Sequence, residues 1–524
     1  MQNKTRKFSS LLTVSALVLV AFVMLTVAGC AQPEEAAVRD TLTVAIGAEP
    51  ESLDPVRMTS APAATVGEHI IQRLIYMEED GSLTPMLATS WSANEDSTVW
   101  TFEIRQGVTF HDGTPLNAEA VAVNLQRFVD PAVGAGYRFL LGSVQDIRAT
   151  GEYTLQMTLA QPFAPILSHL SHSFIGIISP AQLQGIAPDA TIQDPIGTGP
   201  YVLESWQRGS RISMTRNDNY WGNAPAIPNV VFTIIPEESA RIVALETGEA
   251  DAIMAVPPTD VDRLSADPNI DVVRQTTVRT IYISFNNQRE PFTDLRVRRA
   301  LNHAVNKQAI VDSIFEGGAI VADAPVVPAV FGHTSVGPYE YNPELARELL
   351  AEAGFADGLD MTIHHPTGRY PLDATVAEAV QDMLAQVNVR ARLETMEWTS
   401  YLQFTAQPVD QAEYDAFMLG WGTVTLDSDY GLFALLHTDQ WNPNGNNRGF
   451  YSNPRVDELL NAARVETNPA TRERMYGEAI SLIWDDTPWI YLYNAGQINA
   501  VRSDVQGIIH HPLENLSVWS ASFR

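Results

Sequence analysis

The sequence predicts an α/β protein with at least two lobes, and three observations lead to this fold class. The chain has 524 residues, too many for one ordinary hydrophobic core. Segments with strand alternation and segments with helical periodicity follow one another after residue 40. One group of them is a βαβ unit, whose two strands are predicted at residues 361–366 and 389–398.

The first elements can be assigned in order along the chain. From Thr41 onward, apolar and polar residues alternate and predict a strand. Residues 98–116 predict two short strands joined by a turn at Asp112-Gly113. Asn117 then stands where it can cap a following helix.

The middle of the chain continues this alternation of strands and helices. Residues 198–222 predict a hairpin with Gly209 in its turn. Residues 230–236 predict a strand, and the helical segment after it ends at Gly248. A further strand from Thr280 leads into a long amphipathic helical region.

The second half contains a further helix and the βαβ unit. Asn342 is the predicted cap of this helix, with Pro343 in its first turn and Gly354 after its end. In the βαβ unit, Asp373 is the predicted cap of the connecting helix. Residues 413–421 predict a third strand beside the two of the unit.

If these three strands are neighbours, they predict a ligand edge, which is the edge of the sheet where a ligand binds. In open parallel sheets, ligands bind beyond the carboxyl ends of the strands. The segments that leave these ends contain the candidate site residues Arg369, Tyr370, Trp398, Trp421, Asp427 and Asp429.

Charge and motifs exclude several classes of function. The formal net charge of −29 disfavours binding to nucleic acid. Lys307 is the only lysine after Lys7, and no Ser or Thr follows it, so a phosphate-binding P-loop is absent. There is no G-x-S-x-G or H-E-x-x-H motif, and we predict no catalytic residues, no metal site and no cofactor.

The first thirty residues predict export and a lipid anchor. A basic start precedes an apolar run from Leu11 to Val27, which is typical of a signal peptide covering residues 1–29, although a single-pass anchor remains an alternative. Cys30 is the only cysteine and ends the sequence VAGC, which resembles a bacterial lipobox. We therefore expect lipidation of Cys30 and a tether over residues 30–40.

Six phrases in the same order resemble one protein family. They are similar to the large extracytoplasmic solute-binding proteins of ABC importers, solute-binding family 5, which includes dipeptide, oligopeptide, glutathione and nickel binders. The phrases are AEPESLDP (48–55), FHDGTPLNAEAVAVNLQR (110–127), GTGPYVLESW (197–206), RNDNYWG (216–222), LETGEADAI (245–253) and FTDLRVRRALNHAVNK (292–307).

This resemblance implies a two-lobed periplasmic-binding-protein fold, type II and cluster C-like, with an extra subdomain in the first lobe. It implies lobe I at residues 41–285 plus 494–524 and lobe II at residues 286–493. It further implies an extracytoplasmic, lipid-anchored monomer that hands a small molecule or peptide to ABC permease and ATPase subunits. A sensor with the same fold is the alternative.

The resemblance also indicates site residues. Peptide-binding relatives place an acid for the ligand ammonium three residues after a Gly-Trp pair, and here Val424 occupies that position. A second acidic contact is replaced by Thr59, which Ser60 follows. Asp427 or Asp429 could supply the missing acid, or could instead cap the helix or turn that follows.

The remaining candidates suggest the character of the ligand. Arg369 offers a bidentate fork for a carboxylate or phosphate. Trp421 and Trp398 are candidate pocket walls, with core packing as the alternative. We therefore expect a short peptide-like ligand held by its carboxylates, as glutathione would be, or else an oligosaccharide on Trp421 or a metal chelate.

Overall fold

The structure is a computed structural model that describes residues 39–367, 369–396 and 398–524, and for Thr399 it describes the backbone alone. The predicted signal peptide, Cys30 and tether residues 31–38 lie outside the described residues. Within the described ranges, no helix combines the length and apolar character that a membrane span requires.

Strands occur along the chain from Thr41 to Phe523. They are β1 Thr41–Ile46, β2 Ile75–Met77, β3 Leu83–Pro85, β4 Ala88–Ala93, β5 Val99–Ile104, β6 Val144–Ala149, β7 Thr154–Leu159, β8 Tyr201–Gln207, β9 Arg211–Arg216, β10 Asn229–Ile234, β11 Ala252–Ile253, β12 Ile270–Phe285, β13 Ile320–Val321, β14 Leu359–His365, β15 Val389–Thr395, β16 Ala416–Gly422, β17 Trp489–Arg502, β18 Val505–Gln506, β19 Ile509–His510, β20 Leu516–Ser517 and β21 Ser522–Phe523.

Helices alternate with these strands. They are α1 Ala61–Gly67, α2 Ala118–Val129, α3 Ile166–Leu170, α4 Pro180–Leu183, α5 Glu238–Thr247, α6 Val261–Ser265, α7 Leu295–Ala304, α8 Lys307–Ser313, α9 Pro343–Glu352, α10 Asp373–Ala385, α11 Trp398–Thr405, α12 Ala434–Leu436, α13 Pro454–Val465 and α14 Pro469–Asp486.

One large sheet carries most of the fold. Its strand order is β15-β14-β16-β12-β17-β11-β1-β10-β9-β8, with β13 paired to β17. Strands β14, β15 and β16 run parallel to one another, as the predicted ligand edge requires. Their carboxyl ends therefore lie along one edge of the sheet.

Strands β12 and β17 join the two halves of this sheet. Over Arg279–Phe285, β12 pairs with β16, whereas β17 pairs with β11 near Val501. The register between β12 and β17 shifts between Thr276 and Thr280. At this point β17 carries Gly496, where an added Cβ would lie 1.8 Å from the carbonyl oxygen of Gly318, so only glycine permits this close approach.

A separate antiparallel sheet, ordered β4-β5-β7-β6, lies in the first third of the chain. Helix α2 covers it and buries Val121, Leu125 and Phe128 in a core shared with Phe102 and Leu155. The extra subdomain of the first lobe stays a prediction, and this sheet is its candidate.

Several local signals in the sequence are confirmed by side-chain contacts. The Asn117 side chain accepts a hydrogen bond from the Ala120 N–H at 2.9 Å and so caps α2. Asn342 caps α9 in the same way. Gly209 has a φ of 70° in the β8–β9 turn, which is the left-handed conformation that glycine favours.

Other predicted elements have different bounds in the structure. Residues 109 and 115 form only an isolated bridge in place of a second strand, and β12 begins at Ile270, ten residues before Thr280. The long helical region divides into α7 and α8 at Val305, whose backbone is extended. These differences reflect tertiary pairing and packing, which override the local pattern.

The segments beside the predicted site also need two corrections. Trp398 begins helix α11 and does not end the preceding strand, which stops at Thr395. Asp373 is the first residue of α10 and does not cap it; Leu372 precedes it in a left-handed conformation. The Asp373 carboxylate instead accepts N–H bonds from Arg369 and Tyr370.

Candidate functional site

A cavity of about 470 Å³ opens at the carboxyl ends of β14 and β16. The part of the chain before β12 contributes Thr59, Ser60 and Tyr137 to its walls, and the part after β12 contributes Trp398 and Trp421. Further lining residues are His172, Phe174, Arg279, Tyr282, Arg369, Tyr370, Val424, Tyr430, Arg448, Glu514 and Asn515. Six of the eight site residues predicted from the sequence therefore meet around one cavity.

Arg369 lies at the cavity wall in the loop after β14. Its guanidinium carbon lies 5.0 Å from the Tyr370 ring centre and 5.2 Å from that of Trp398. The side chain is exposed, and among the described residues no carboxylate forms an ion pair with it. Arg369 therefore keeps its N–H donors available while the two rings restrict its position.

Tyr370 holds the Arg369 loop against the end of β16. Its hydroxyl accepts a hydrogen bond from the Gly420 N–H at 2.8 Å and donates to the Gly420 carbonyl at 3.3 Å. Burial raises the pKa of the Tyr370 phenol, so the hydroxyl stays protonated and both contacts persist at neutral pH. This residue therefore fixes the Arg369 loop to the strand end that carries Trp421.

The two tryptophans form aromatic walls. The Trp421 ring stacks on Tyr430 with a centroid separation of 5.2 Å, and its indole N–H donates to the Tyr430 carbonyl at 3.1 Å. Trp398 stacks on Tyr401 and contacts Tyr370 edge to face. Because both rings are only half-buried, each is anchored in the core and still presents a surface to the cavity.

Asp427, for which the sequence left open either a contact with the ligand or a local cap, is not among the residues that line the cavity. Its Oδ1 accepts hydrogen bonds from Arg472 at 2.9 Å and from the Tyr476 hydroxyl at 3.3 Å. The same oxygen accepts the Asp429 N–H at 3.0 Å, which supports the turn that follows. The alternative of a local capping task, left open by the sequence, is the one that this geometry favours.

Asp429 is also buried and also faces an arginine. Its Oδ1 lies 2.9 Å from the Arg464 Nε. Burial raises the pKa of Asp429 to about 6, and the neighbouring Asp427 acts in the same direction, while Arg464 opposes the shift. Neither aspartate lines the cavity, so neither replaces the acid that is missing at Val424.

Thr59 and Ser60 line the cavity, but their polar groups already have a partner. The Glu51 carboxylate accepts hydrogen bonds from the Thr59 and Ser60 backbone N–H groups and from both hydroxyls. The Ser60 hydroxyl oxygen also accepts the Ala63 N–H at the start of α1. Glu51 therefore brings an acid close to the position where Thr59 stands.

Arg279 and Glu514 line the cavity and escaped the sequence analysis. They form a bidentate pair, with Arg279 Nε 2.8 Å and Nη2 2.9 Å from the two Glu514 carboxylate oxygens. Burial alone would raise the pKa of Glu514, but Arg279 and then Arg369 hold it below its usual value. The two residues are 235 positions apart, so no local pattern in the sequence predicts that they pair.

Arg448 is the third arginine at the cavity and also escaped the sequence analysis. Its Nη1 donates to the Leu402 carbonyl at 3.0 Å and to the Thr405 hydroxyl at 2.6 Å. Burial lowers its pKa, yet a guanidinium stays protonated in proteins. Among the described residues no carboxylate pairs with it, although such a half-buried charge requires compensation.

The described lining residues therefore carry an excess of positive charge. They include three guanidinium groups and the single carboxylate of Glu514. His172 adds no charge at neutral pH, because burial lowers the pKa of its imidazole to about 3. This positive cavity lies in a chain whose formal net charge is −29.

A two-lobed α/β fold with a cavity at the carboxyl ends of its parallel strands is typical of a solute-binding protein. The model of bacterial extracellular solute-binding proteins, family 5, matches residues 82–443, and the chain belongs to this family.

Known relatives agree with this family and with the predicted fold class. The chain is 31% identical over 472 residues to the glutathione-binding protein GsiB of Salmonella typhimurium, covering 89% of this chain and 91% of that protein. The structure of HbpA2 from Haemophilus parasuis superposes with a TM-score of 0.83 at 28% identity, over 92% of this chain and all of that one.

A peptide complex gives a similar result. The DppA protein of Helicobacter pylori, solved with the peptide STSA, has a TM-score of 0.77 and 28% identity, covering 91% of this chain and 97% of that one. The two-lobed periplasmic-binding-protein fold predicted from the sequence is thus confirmed. The protein is an extracytoplasmic solute-binding component of an ABC importer.

Proposed function

We propose that this protein captures a peptide or peptide-like solute rich in carboxylates between its two lobes and delivers it to the permease and ATPase of its importer. The observation that carries this proposal is the presence of two guanidinium groups, Arg369 and Arg448, at the cavity without carboxylate partners among the described residues. Each can bind one carboxylate of a ligand through charge-assisted hydrogen bonds.

Closure of the cleft makes this charge complementarity important. A carboxylate that leaves water needs a charged or hydrogen-bonding partner, because an uncompensated buried charge costs several kcal/mol. Arg369 is oriented by two aromatic rings and Arg448 by two oxygen acceptors, so both are ordered before the ligand arrives. Ordering in advance reduces the entropy that binding has to overcome.

The cavity is less suited to a ligand that depends on its ammonium group. Val424 and Thr59 stand where peptide-binding relatives carry acids, and Asp427 is paired with Arg472. Glu514 is the single lining carboxylate among the described residues, and it is engaged by Arg279. An ammonium group would have to share Glu514 with that arginine or approach Glu51 beneath Thr59.

Glutathione is the first ligand to test, since it has two carboxylates and is the ligand named for the Salmonella relative. Calorimetry should compare glutathione with its diethyl ester and its N-acetyl form. We expect the ester to bind at least tenfold more weakly, because each lost charged hydrogen bond is worth about 1.5–3 kcal/mol. Acetylation should have a smaller effect.

Two variants locate the carboxylate contacts. Arg369→Gln and Arg448→Gln should each weaken glutathione binding about tenfold or more. Arg148→Gln is the matched control, because the Arg148 side chain is 62% exposed on β6, outside the cavity. Equal binding of glutathione and its diester, or unchanged binding by both cavity variants, would show that the arginines do not select the ligand.

We further propose that binding occurs without chemical change to the solute and that the mature protein is lipid-anchored through Cys30. Two of the relatives named above support the first point, since one is a glutathione-binding protein and the other a periplasmic binding protein. Mass spectrometry of the ligand after prolonged incubation with the protein should return it intact. Any stoichiometric or catalytic modification would contradict a purely binding role.

A further inference from the structure

A second chamber of about 360 Å³ lies beside the candidate site. Apolar side chains from distant parts of the chain form most of its wall: Ile46, Met254, Val256, Phe315, Leu372 and Ile498. Arg279, Arg369, Tyr370 and Glu514 line both spaces. The Arg279–Glu514 ion pair and the Arg369 loop therefore divide one cleft into a cationic chamber and an apolar one.

The backbone around the second chamber is unusually strained. Ala255, Leu372 and Glu514 all line it, and their φ angles are 57°, 56° and 66°. Left-handed conformations are unfavourable for residues other than glycine and tend to cluster where a site requires them. Only nine such residues occur in the described chain, so three around one chamber is a marked concentration.

Leu372 shows most clearly what this strain achieves. Its left-handed backbone directly precedes α10, and the residue is 41% exposed although its side chain is large and apolar. An exposed leucine beside an apolar chamber lacks the protein contacts that would bury it. An apolar group that enters the chamber would cover it.

We propose that the second chamber binds an apolar acyl or alkyl group of the ligand whose carboxylate is held at Arg369. This inference rests on the proposed function for the position of the carboxylate. Arg369 belongs to both chambers, so a carboxylate placed there leaves the attached chain free to enter the apolar side. The ligand class is therefore an amphipathic anion, such as an acylated or alkylated peptide-like acid.

A series of simple carboxylates tests the chamber directly. Calorimetry with butyrate, hexanoate and octanoate should show that the Kd falls with chain length. Each methylene group buried in an apolar space is expected to lower the Kd about fourfold. We expect octanoate to bind at least tenfold more tightly than butyrate; equal affinity along the series, or no binding of any member, would overturn the proposal.

Two variants separate the chamber from the carboxylate contact. Leu372→Asn should reduce the gain in affinity with chain length, and asparagine tolerates the left-handed backbone, so the fold is retained. Val243→Asn, at a residue that is 55% exposed on α5, is the control and should leave this gain in affinity unchanged. If the gain in affinity with chain length is the same in Leu372→Asn and wild type, the apolar group binds elsewhere.

The two proposals can fail separately. Arg369→Gln should raise the Kd of all three carboxylates by a similar factor. The ratios between their Kd values should therefore stay the same. If glutathione does not bind but the carboxylate series keeps its dependence on chain length, the peptide-like ligand is wrong and the apolar chamber stands. If glutathione binds as proposed and the series shows no dependence, the apolar chamber is wrong.

Discussion

At the scale of single residues, a charged side chain that is paired with an opposite charge supports the fold. A charged side chain without such a partner is available to a ligand. Asp427 and Arg472 satisfy each other in the core, whereas Arg369 and Arg448 face the cavity without a carboxylate among the described residues. All four are ordinary charged residues in the sequence. The difference between them is created only by what folding places next to each.

Asp427→Asn should destabilise the fold and leave ligand affinity unchanged. The substitution keeps the shape of the side chain but leaves the buried Arg472 guanidinium without its counter-charge, which costs about 3–5 kcal/mol. Urea denaturation would measure the loss, with Asp439→Asn, whose side chain is 82% exposed, as the control. A variant with unchanged stability and altered ligand affinity would instead show that Asp427 acts in ligand binding.

Acidification should destabilise the protein through its buried histidines. Burial lowers the pKa of His69, His169 and His511 to about 4 and that of His172 to about 3. Between about pH 6.5 and pH 4 the unfolded chain therefore binds protons that the folded chain does not. Stability is complete above pH 6.5 and falls as the pH decreases through this window.

The expected size of this effect follows from the same pKa values. From pH 7 to pH 5, each of these histidines removes about 2 kcal/mol of stability. Asp429, with its pKa raised to about 6, and Glu68, whose pKa burial also raises, act in the opposite direction but are fewer than the four histidines. Urea denaturation at pH 7, 6 and 5 should show a net loss, and His511→Gln should reduce it; constant stability would contradict this account.

At the scale of elements, local sequence signals predicted helix starts and turns well. Asn117 and Asn342 cap their helices, and Gly209 forms its turn, because each depends on chemistry within a few residues. Trp398 and the start of β12 were assigned wrongly because sheet pairing with distant strands decides where a strand ends. Arg279 and Glu514 were missed because they are 235 positions apart and only the folded chain brings them together.

The candidate site was predictable to the extent that parallel strand ends define an edge. That rule placed Arg369, Trp398 and Trp421 at one cavity although it says nothing about side-chain direction. It failed for Asp427 and Asp429, whose loop turns back into the core toward arginines of α13 and α14. No pattern in the sequence marks that reversal.

Strands β12 and β17 are the elements about which we expect the lobes to close. Their register shift at Thr276–Thr280 lies opposite Gly496 and supplies a local irregularity where the strands can bend. The lobe boundaries near Phe285 and Tyr493 remain a prediction. Small-angle scattering should show a smaller radius of gyration with saturating glutathione and no change with its diester; an unchanged profile with bound glutathione would argue against closure.

At the scale of the whole molecule, the predicted anchor determines where the cleft operates. Cys30→Ser should release the protein from membranes and prevent incorporation of labelled palmitate, because acyl chains on the mature N-terminus supply the attachment. Cell fractionation and labelling measure both effects, with wild type as the reference. A Cys30→Ser protein that remains membrane-bound and labelled would exclude lipidation at this residue.

The contrast between a positive cavity and a formal charge of −29 also governs the speed of capture. An anionic solute is repelled by the molecule at long range and attracted only after it reaches the cleft. Salt screens charges beyond a Debye length of about 10 Å at 0.1 M, so it removes most of the repulsion and less of the attraction. The association rate constant of such a solute should therefore increase with ionic strength, the reverse of ordinary electrostatic steering.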